Sequence, residues 1–147
     1  WRLTGNLPAL DGGSSRATAG YYAVFEQGLW HESGRAVPRD ESVAAYLQWG
    51  YADPSLCAFQ RHLGAGVVWR APLPKRGQDS LGVGVTQVRL AEASGPFTSE
   101  LVTESYYKIH VKSFLSISAD VQYIHQPGGS VSYRDAVVFT PRVQVAF

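Results

Sequence analysis

Polar side chains recur at every second position between residues 100 and 112 except at Val102, and these residue types could bind a polar solute. They supply two carboxylates, two ammonium groups, a phenol and an imidazole: Glu100, Glu104, Tyr106, Lys108, His110 and Lys112. Side chains alternate across a β-strand, so this spacing places all six on one face. Such a face cannot lie in a dry core unless every charge is paired, but it can line a water-filled space. We interpret it as the wall of a wet lumen.

The same alternation of polar and apolar positions occurs along most of the chain. Its polar parity predicts a set of lumen-lining residues, to which Gln60 also belongs: Glu26, Tyr46, Gln48, His62, Arg70, Glu104, Tyr106, Lys108, His110, Asp120, Gln122, Arg142 and Gln144. Each of them could instead pair with a neighbouring strand and stiffen the wall. As a whole, the face favours an aqueous lumen.

The sequence offers little support for catalysis or for a cofactor. Its four histidines fall on different strands without metal-ligand spacing, and no motif brings a serine nucleophile to a histidine and an acid. Gly82 and Gly84 do not lead into a helix, so they do not form a phosphate loop. We expect no catalytic residues, no metal and no cofactor.

Charge and cysteine usage exclude further classes. A net charge of +1 without a basic run argues against a nucleic-acid partner, and the single Cys57 excludes an internal disulfide. No apolar run approaches the ~18 residues of a membrane helix. Because the chain opens in mid-pattern at Trp1 without a methionine, we expect it to be the carboxy-terminal piece of something longer.

The elements that must position these side chains are long β-strands. Alternation predicts seven of them after a short fragment at residues 1–10, with bounds at 18–31, 42–53, 58–71, 80–92, 99–112, 114–126 and 134–147. Soluble strands most often have ~5–6 residues, whereas a tilted membrane-spanning strand needs ~9–11. The chain is therefore predicted to be a single all-β region, an antiparallel transmembrane β-barrel.

Two stretches depart from strict alternation. Gln27 falls on the apolar face of residues 18–31, and Trp30 falls on the polar face. In residues 80–92 the parity swaps from Gln87 onward, which predicts a β-bulge.

The closing stretch, residues 134–147, has one apolar face, which includes Val137, Phe139 and Val143, and it ends at Phe147. A soluble edge strand is usually blunted by charge or covered. A terminal aromatic residue on a two-faced strand is typical of the last strand of an outer-membrane barrel.

Three functions fit this pattern before any resemblance is considered. The strands could form part of a larger channel, or a self-contained eight-stranded barrel with a structural or adhesion role and a packed, salt-bridged interior. A soluble lipocalin-like barrel is disfavoured, because its interior would have to be the apolar face.

Ordered segments of the chain resemble the carbohydrate-selective porins of the OprB family. They are GYYAVFEQGLW at 20–30, GYADP at 50–54, LGAGVVW at 63–69, LGVGV at 81–85, LSISADVQYI at 115–124 and QPGG at 126–129, followed by the closing strand. The resemblance implies a 16-stranded barrel of the bacterial outer membrane that admits sugars by passive diffusion. This chain would supply about the last seven or eight strands.

The same resemblance implies partners. These are outer-membrane lipid, small sugars, the missing amino-terminal barrel half and the barrel-assembly machinery, which would recognise Phe147. The missing half would hold part of the pore constriction.

A carboxyl terminus in the periplasm would fix the orientation of the strands. The turns at 32–41, 73–79 and 112–114 would then be periplasmic, and the loops at 53–58, 93–98 and 127–134 would face outside.

Overall fold

A computed structural model describes residues 1–32, 41–74, 76–92 and 99–146, and it shows one antiparallel sheet. The strands are β1 (Arg2–Pro8), β2 (Ser14–His31), β3 (Ser42–Ala52), β4 (Phe59–Arg70), β5 (Ser80–Leu90), β6 (Ser99–Lys112), β7 (Leu115–His125) and β8 (Ala136–Val145). Each strand pairs with the next one in the chain, in the order β1 to β8. Pro127–Gly129 form a short 3-10 turn. Within the described ranges, no helix has both the length and the apolar character needed to cross a membrane.

The seven long strands agree with the predicted ones to within a few residues, and β6 has the predicted bounds. The fragment at the amino terminus is β1. It pairs with Ser14 to Ala19 of β2, whereas β3 pairs with β2 from Gly20 onward. β1 therefore lies on an extension of β2 that projects past the end of β3.

The sheet is a single curved wall without a second layer. Among the described residues, Ala71 and Ala91 are the only buried hydrophobic side chains. The large apolar side chains of the odd-numbered parity lie instead on the outer face, with Val83, Val121 and Phe139 between 46% and 63% exposed. A wall with a bare apolar outer face and a polar inner face requires lipid to cover it. This excludes the soluble lipocalin-like alternative.

Aromatic side chains flank the apolar band of the outer face. Trp69 and Tyr107 lie in one row towards the carboxyl end of β4. Trp49 and Tyr51 lie at the opposite end of the sheet, near the carboxyl end of β3. Two such girdles mark the interfaces of a membrane barrel, where amphipathic rings contact the headgroups.

The structure corrects the expectations for Trp30 and for β5, whereas Gln27 pairs with Ala45 and lies on the outer face as expected. A register shift between Gly28 and Trp30 makes Trp30 the partner of Val43, so Trp30 lies on the outer face and not on the polar one. The predicted bulge in β5 is wrong, because Ser80 to Arg89 pair with β6 without any shift. Consequently Gln87 and Arg89 lie on the outer face.

The ends of the sheet are open. β1 and β8 are its two edges and are not neighbours in the strand order. The described chain is therefore not a closed eight-stranded barrel. The amide of Ala146 still donates to the carbonyl of Phe114, which brings the chain's carboxyl end to the two-residue β6–β7 turn. Phe147, residues 33–40 and residues 93–98 lie outside the described residues.

Candidate functional site

A cavity of about 510 Å³ lies on the inner face and is lined by residues from β2 to β8. Even-numbered residues share this face through the middle of the sheet, where the ladders from β3 to β8 keep their register. Beyond the register shift after Gly28, this parity no longer holds in β2. The cavity brings together nine of the thirteen predicted residues: Glu26, Tyr46, Arg70, Glu104, Tyr106, Lys108, Asp120, Arg142 and Gln144.

Three carboxylates (Glu26, Glu104 and Asp120) and three cations (Arg70, Lys108 and Arg142) line this cavity. Lys108 Nζ donates to Gln144 Oε1 at 3.0 Å, passing over β7 from β6 to β8. Gln122 Nε2 donates to Glu104 Oε2 at 3.2 Å across the β6–β7 ladder. One carboxylate oxygen of Asp120 is buried without a partner among the described residues. The wall therefore combines hydrogen-bonded pairs between strands with a buried carboxylate oxygen that has no such pair.

Two tyrosines lie flat on the inner wall over glycines. Tyr46 is directly opposite Gly66, and a Cβ on Gly66 would lie 2.6 Å from its Cε1 atom. The Tyr46 hydroxyl also reaches Gly84 on the next strand, and Tyr106 covers Gly82 in the same way. A glycine is needed wherever a ring approaches the backbone this closely. One face of each ring is thus held against the wall, and the other faces the cavity.

Four predicted residues lie outside this cavity. Gln48 and Gln122 are on the same inner face, farther along β3 and β7. His62 lines a second cavity, of about 470 Å³, near the β5–β6 connection, and His110 lines a small one beside Lys112 at the other end of the sheet. The structure thus divides the predicted set into one central group and four peripheral residues.

Serines are the polar residues of the cavity that the predicted set omitted. Ser80, Ser116 and Ser118 line it together with the charged residues. Their parity along β5 and β7 was the available signal, because it matches that of the selected residues.

Asp79 lies in the β4–β5 turn and stabilises this end of the sheet, where the β6–β7 turn and the carboxyl terminus also lie. It is 2% exposed and accepts hydrogen bonds from Arg76, from the Tyr107 hydroxyl at 2.8 Å and from the His110 amide at 2.9 Å. Burial acts to raise the pKa of Asp79, but these three donors outweigh it and hold the pKa below its usual range.

Asp135 has a similar role at the opposite end of the sheet, in the connection between β7 and β8. Its carboxylate accepts from the Tyr123 hydroxyl and from the Gln126 amide, and it contacts His125 Nδ1 at 2.9 Å. The Tyr123 hydroxyl and the His125 ring are the main causes that lower the pKa of Asp135 to about 2. Nearby, the Glu100 carboxylate accepts a hydrogen bond from the Gly128 amide at 2.6 Å. This bond holds the 3-10 turn against the amino-terminal end of β6.

No group of three or more histidine, cysteine, aspartate or glutamate side chains in the described ranges is arranged to hold a metal ion. The wall geometry defines the class of protein: an antiparallel, membrane-spanning β-sheet with an apolar outside and a polar inside is the wall of a porin-type outer-membrane barrel. The chain belongs to the OprB family of carbohydrate-selective porins, whose family model matches residues 4–147. It therefore belongs to a family of bacterial outer-membrane channels.

Two known proteins show how much of a family member this chain represents. Porin B of Pseudomonas aeruginosa is 23% identical over 167 residues, an alignment that covers 99% of this chain and 35% of Porin B. The high-pH structure of Pseudomonas putida OprB superposes with a TM-score of 0.88 at 18% identity, covering 99% of this chain and 43% of that one. The chain thus spans less than half of either protein.

Proposed function

We propose that this chain forms the carboxy-terminal part of an outer-membrane channel through which small sugars diffuse passively. The observation that carries the proposal is the inner cavity, in which hydroxyls, carboxylates, cations and two exposed tyrosine faces lie within one space of about 510 Å³. Sugars present hydroxyls that accept and donate, together with C–H faces that stack on rings. The inner wall matches both features.

Weak and repeated contacts suit transport better than one tight site does. A permeating solute must bind well enough to enter and loosely enough to leave. Glu104 and Lys108 are each already paired with a glutamine, so a sugar hydroxyl would exchange with an existing hydrogen bond. This exchange keeps the net free energy of binding small. Covalent chemistry has no part in the proposal, and neither does a cofactor.

The partners that we propose follow from the open sheet. A complete barrel needs further strands to pair with β8 and with the part of β2 that β1 leaves uncovered, because unpaired backbone groups cannot face lipid. Further strands from an amino-terminal half would meet this need. We also propose Phe147 as the recognition end for the barrel-assembly machinery, because the resemblance to the OprB family implies this role.

We also propose that the β4–β5 and β6–β7 turns face the periplasm and that the β3–β4 connection faces outside.

Cys57, in the β3–β4 connection, is a suitable probe of this orientation, because the chain has no other cysteine. A membrane-impermeant maleimide added to intact cells is expected to label Cys57. A Cys57→Ser, Ser113→Cys variant moves the thiol to the β6–β7 turn and is expected to stay unlabelled. The reverse pattern would invert the orientation.

Sugar block of ion conductance tests the transport proposal. In planar bilayers, the full-length porin should conduct, and millimolar sugar should reduce the current. Tyr106→Ala removes a ring face and should weaken the block several-fold, since stacking and hydrogen bonding are each worth roughly 1 kcal/mol.

Tyr21→Ala is the matched control, because Tyr21 pairs with Tyr51 on the outer face and is 63% exposed there. It should leave the sugar block unchanged. If the porin conducts but no mono- or disaccharide of a tested range blocks the current, the carbohydrate role is refuted. The protein would then be a general channel.

A further inference from the structure

Two arginines lie on the outer face, where most of the large side chains are apolar. Arg61 of β4 and Arg89 of β5 are direct cross-strand partners, and both are exposed. They share this face with Leu63 and Val85 of the apolar band. They lie near the β3–β4 connection, at the end of the sheet opposite the carboxyl terminus. This end of the sheet faces outside in the orientation proposed above.

This pairing is unfavourable unless an anion is present. Like charges directly opposite each other destabilise a sheet, and neither guanidinium forms an ion pair within the described residues. Their neighbours in the same row are Tyr51 on β3 and Ser99 on β6. Four adjacent strands thus present hydrogen-bond donors in one row, with no carboxylate between them.

The row lies beside two adjoining depressions of about 470 and 420 Å³, and Arg61 and Arg89 line both. Trp49 and Leu63 line the first, one pleat closer to the apolar band. A ligand here would have its polar group on the arginines and its apolar part against the ring and the leucine. Glu92 lines both depressions, and Asp53 accepts hydrogen bonds from Ser55, which lines the second.

We propose that Arg61 and Arg89 bind a phosphate group of an outer-leaflet glycolipid, with Tyr51 and Ser99 as flanking donors and Trp49 against the first acyl carbons. Guanidinium groups recognise phosphate through paired, charge-assisted hydrogen bonds. The negative charge of the phosphate would also offset the repulsion between the two arginines. The amphipathic lining selects a membrane lipid over a free anion. This inference rests on the proposed orientation and not on the transported solute.

Native mass spectrometry of the full-length porin in detergent tests the proposal, with diphosphorylated lipid A as the probe. The Arg61→Gln, Arg89→Gln double variant should bind the probe at least about tenfold more weakly. Glu92→Gln should bind it more tightly, because a repulsive charge is removed. Lys112→Gln, which removes a cation at the opposite end of the sheet, should bind it like the parent. A heat-dependent gel shift confirms that each variant is a folded barrel.

Three outcomes would overturn the proposal. The double variant could retain lipid A with parental affinity, or dephosphorylated lipid A could bind as tightly as the phosphorylated form. Alternatively, millimolar inorganic phosphate could displace the lipid completely, which would make the site one for free anions. Sugar block of the double variant is measured in parallel and should be unchanged, so that failure of lipid binding is distinguished from failure of transport.

Discussion

Tyr106 and Tyr107 are adjacent in sequence, and the pleat of β6 gives them opposite tasks. Tyr106 lies flat over Gly82 on the inner wall, whereas Tyr107 donates to Asp79 from the outer face. The division shows how period-two geometry turns neighbouring residues into two separate surfaces. It also identifies positions where a small change should have a large effect.

Gly82→Ala is one such change. Its Cβ would overlap the Tyr106 ring, so the ring must leave the wall and enter the cavity. We expect a loss of about 1–3 kcal/mol in unfolding free energy, as for other overpacked sites, together with a lower single-channel conductance. Urea unfolding in lipid vesicles and bilayer recording measure the two effects.

Gly28→Ala is the control for this change. Gly28 also faces inward from a β-strand, but a Cβ there meets no atom within 4 Å. This variant should match the parent in conductance and in stability to within about 0.5 kcal/mol. Equal effects at both positions would contradict the importance of the ring–glycine contact.

Asp79 is the residue on which the β4–β5 turn depends most. Asp79→Ala leaves the Tyr107 hydroxyl and the His110 amide without their acceptor. Buried groups that lose a partner cost about 1–3 kcal/mol each, so we expect a clear drop in unfolding free energy. Asp11→Ala, which removes one exposed contact to the Gly13 amide, should change stability far less.

At the scale of elements, the connection between β7 and β8 is fastened by Asp135. Because the folded pKa of Asp135 is lowered to about 2 from 3.8, its contacts contribute fully above the unfolded value. They are lost as the pH falls through about 2. We expect the Gln126 amide, which donates to Asp135, to stay protected from hydrogen exchange between pH 7 and pH 4 and to lose protection below that.

An Asp135→Asn variant tests the origin of that pH dependence. Its amide side chain does not titrate, so protection of Gln126 should show no step between pH 4 and pH 2. A step of unchanged size in the variant would assign the titration to another group.

At the scale of the whole molecule, the described sheet is open, and closure into the proposed barrel would require strands in addition to β1 to β8. β8 presents an unpaired edge, and membrane lipid offers no partner for it. We expect this 147-residue chain, expressed alone, to fail to form a monomeric heat-modifiable barrel. Co-expression with the amino-terminal half should restore one, and gel mobility before and after boiling measures both. A heat-modifiable monomer from the chain alone would contradict this expectation.

The sequence by itself determined the strands and most of their faces. Alternation at period two is a local property, so the bounds of β6, and the inner parity of Glu104, Lys108 and Arg142, could be predicted without knowledge of any neighbour. The family resemblance in the same segments indicated the class of barrel. Ser116 and Ser118 were within reach of the same reasoning.

Only the tertiary structure decided which residues meet across the strands. The shift beside Gly28, the unbroken β5–β6 ladder, the tyrosines over their glycines and the opposed Arg61 and Arg89 all depend on register. Register is set by turns and by packing between strands that are distant in sequence, and one slipped residue exchanges the faces. A periodic pattern contains no information about that choice, which is why the lumen face could be predicted and its contacts could not.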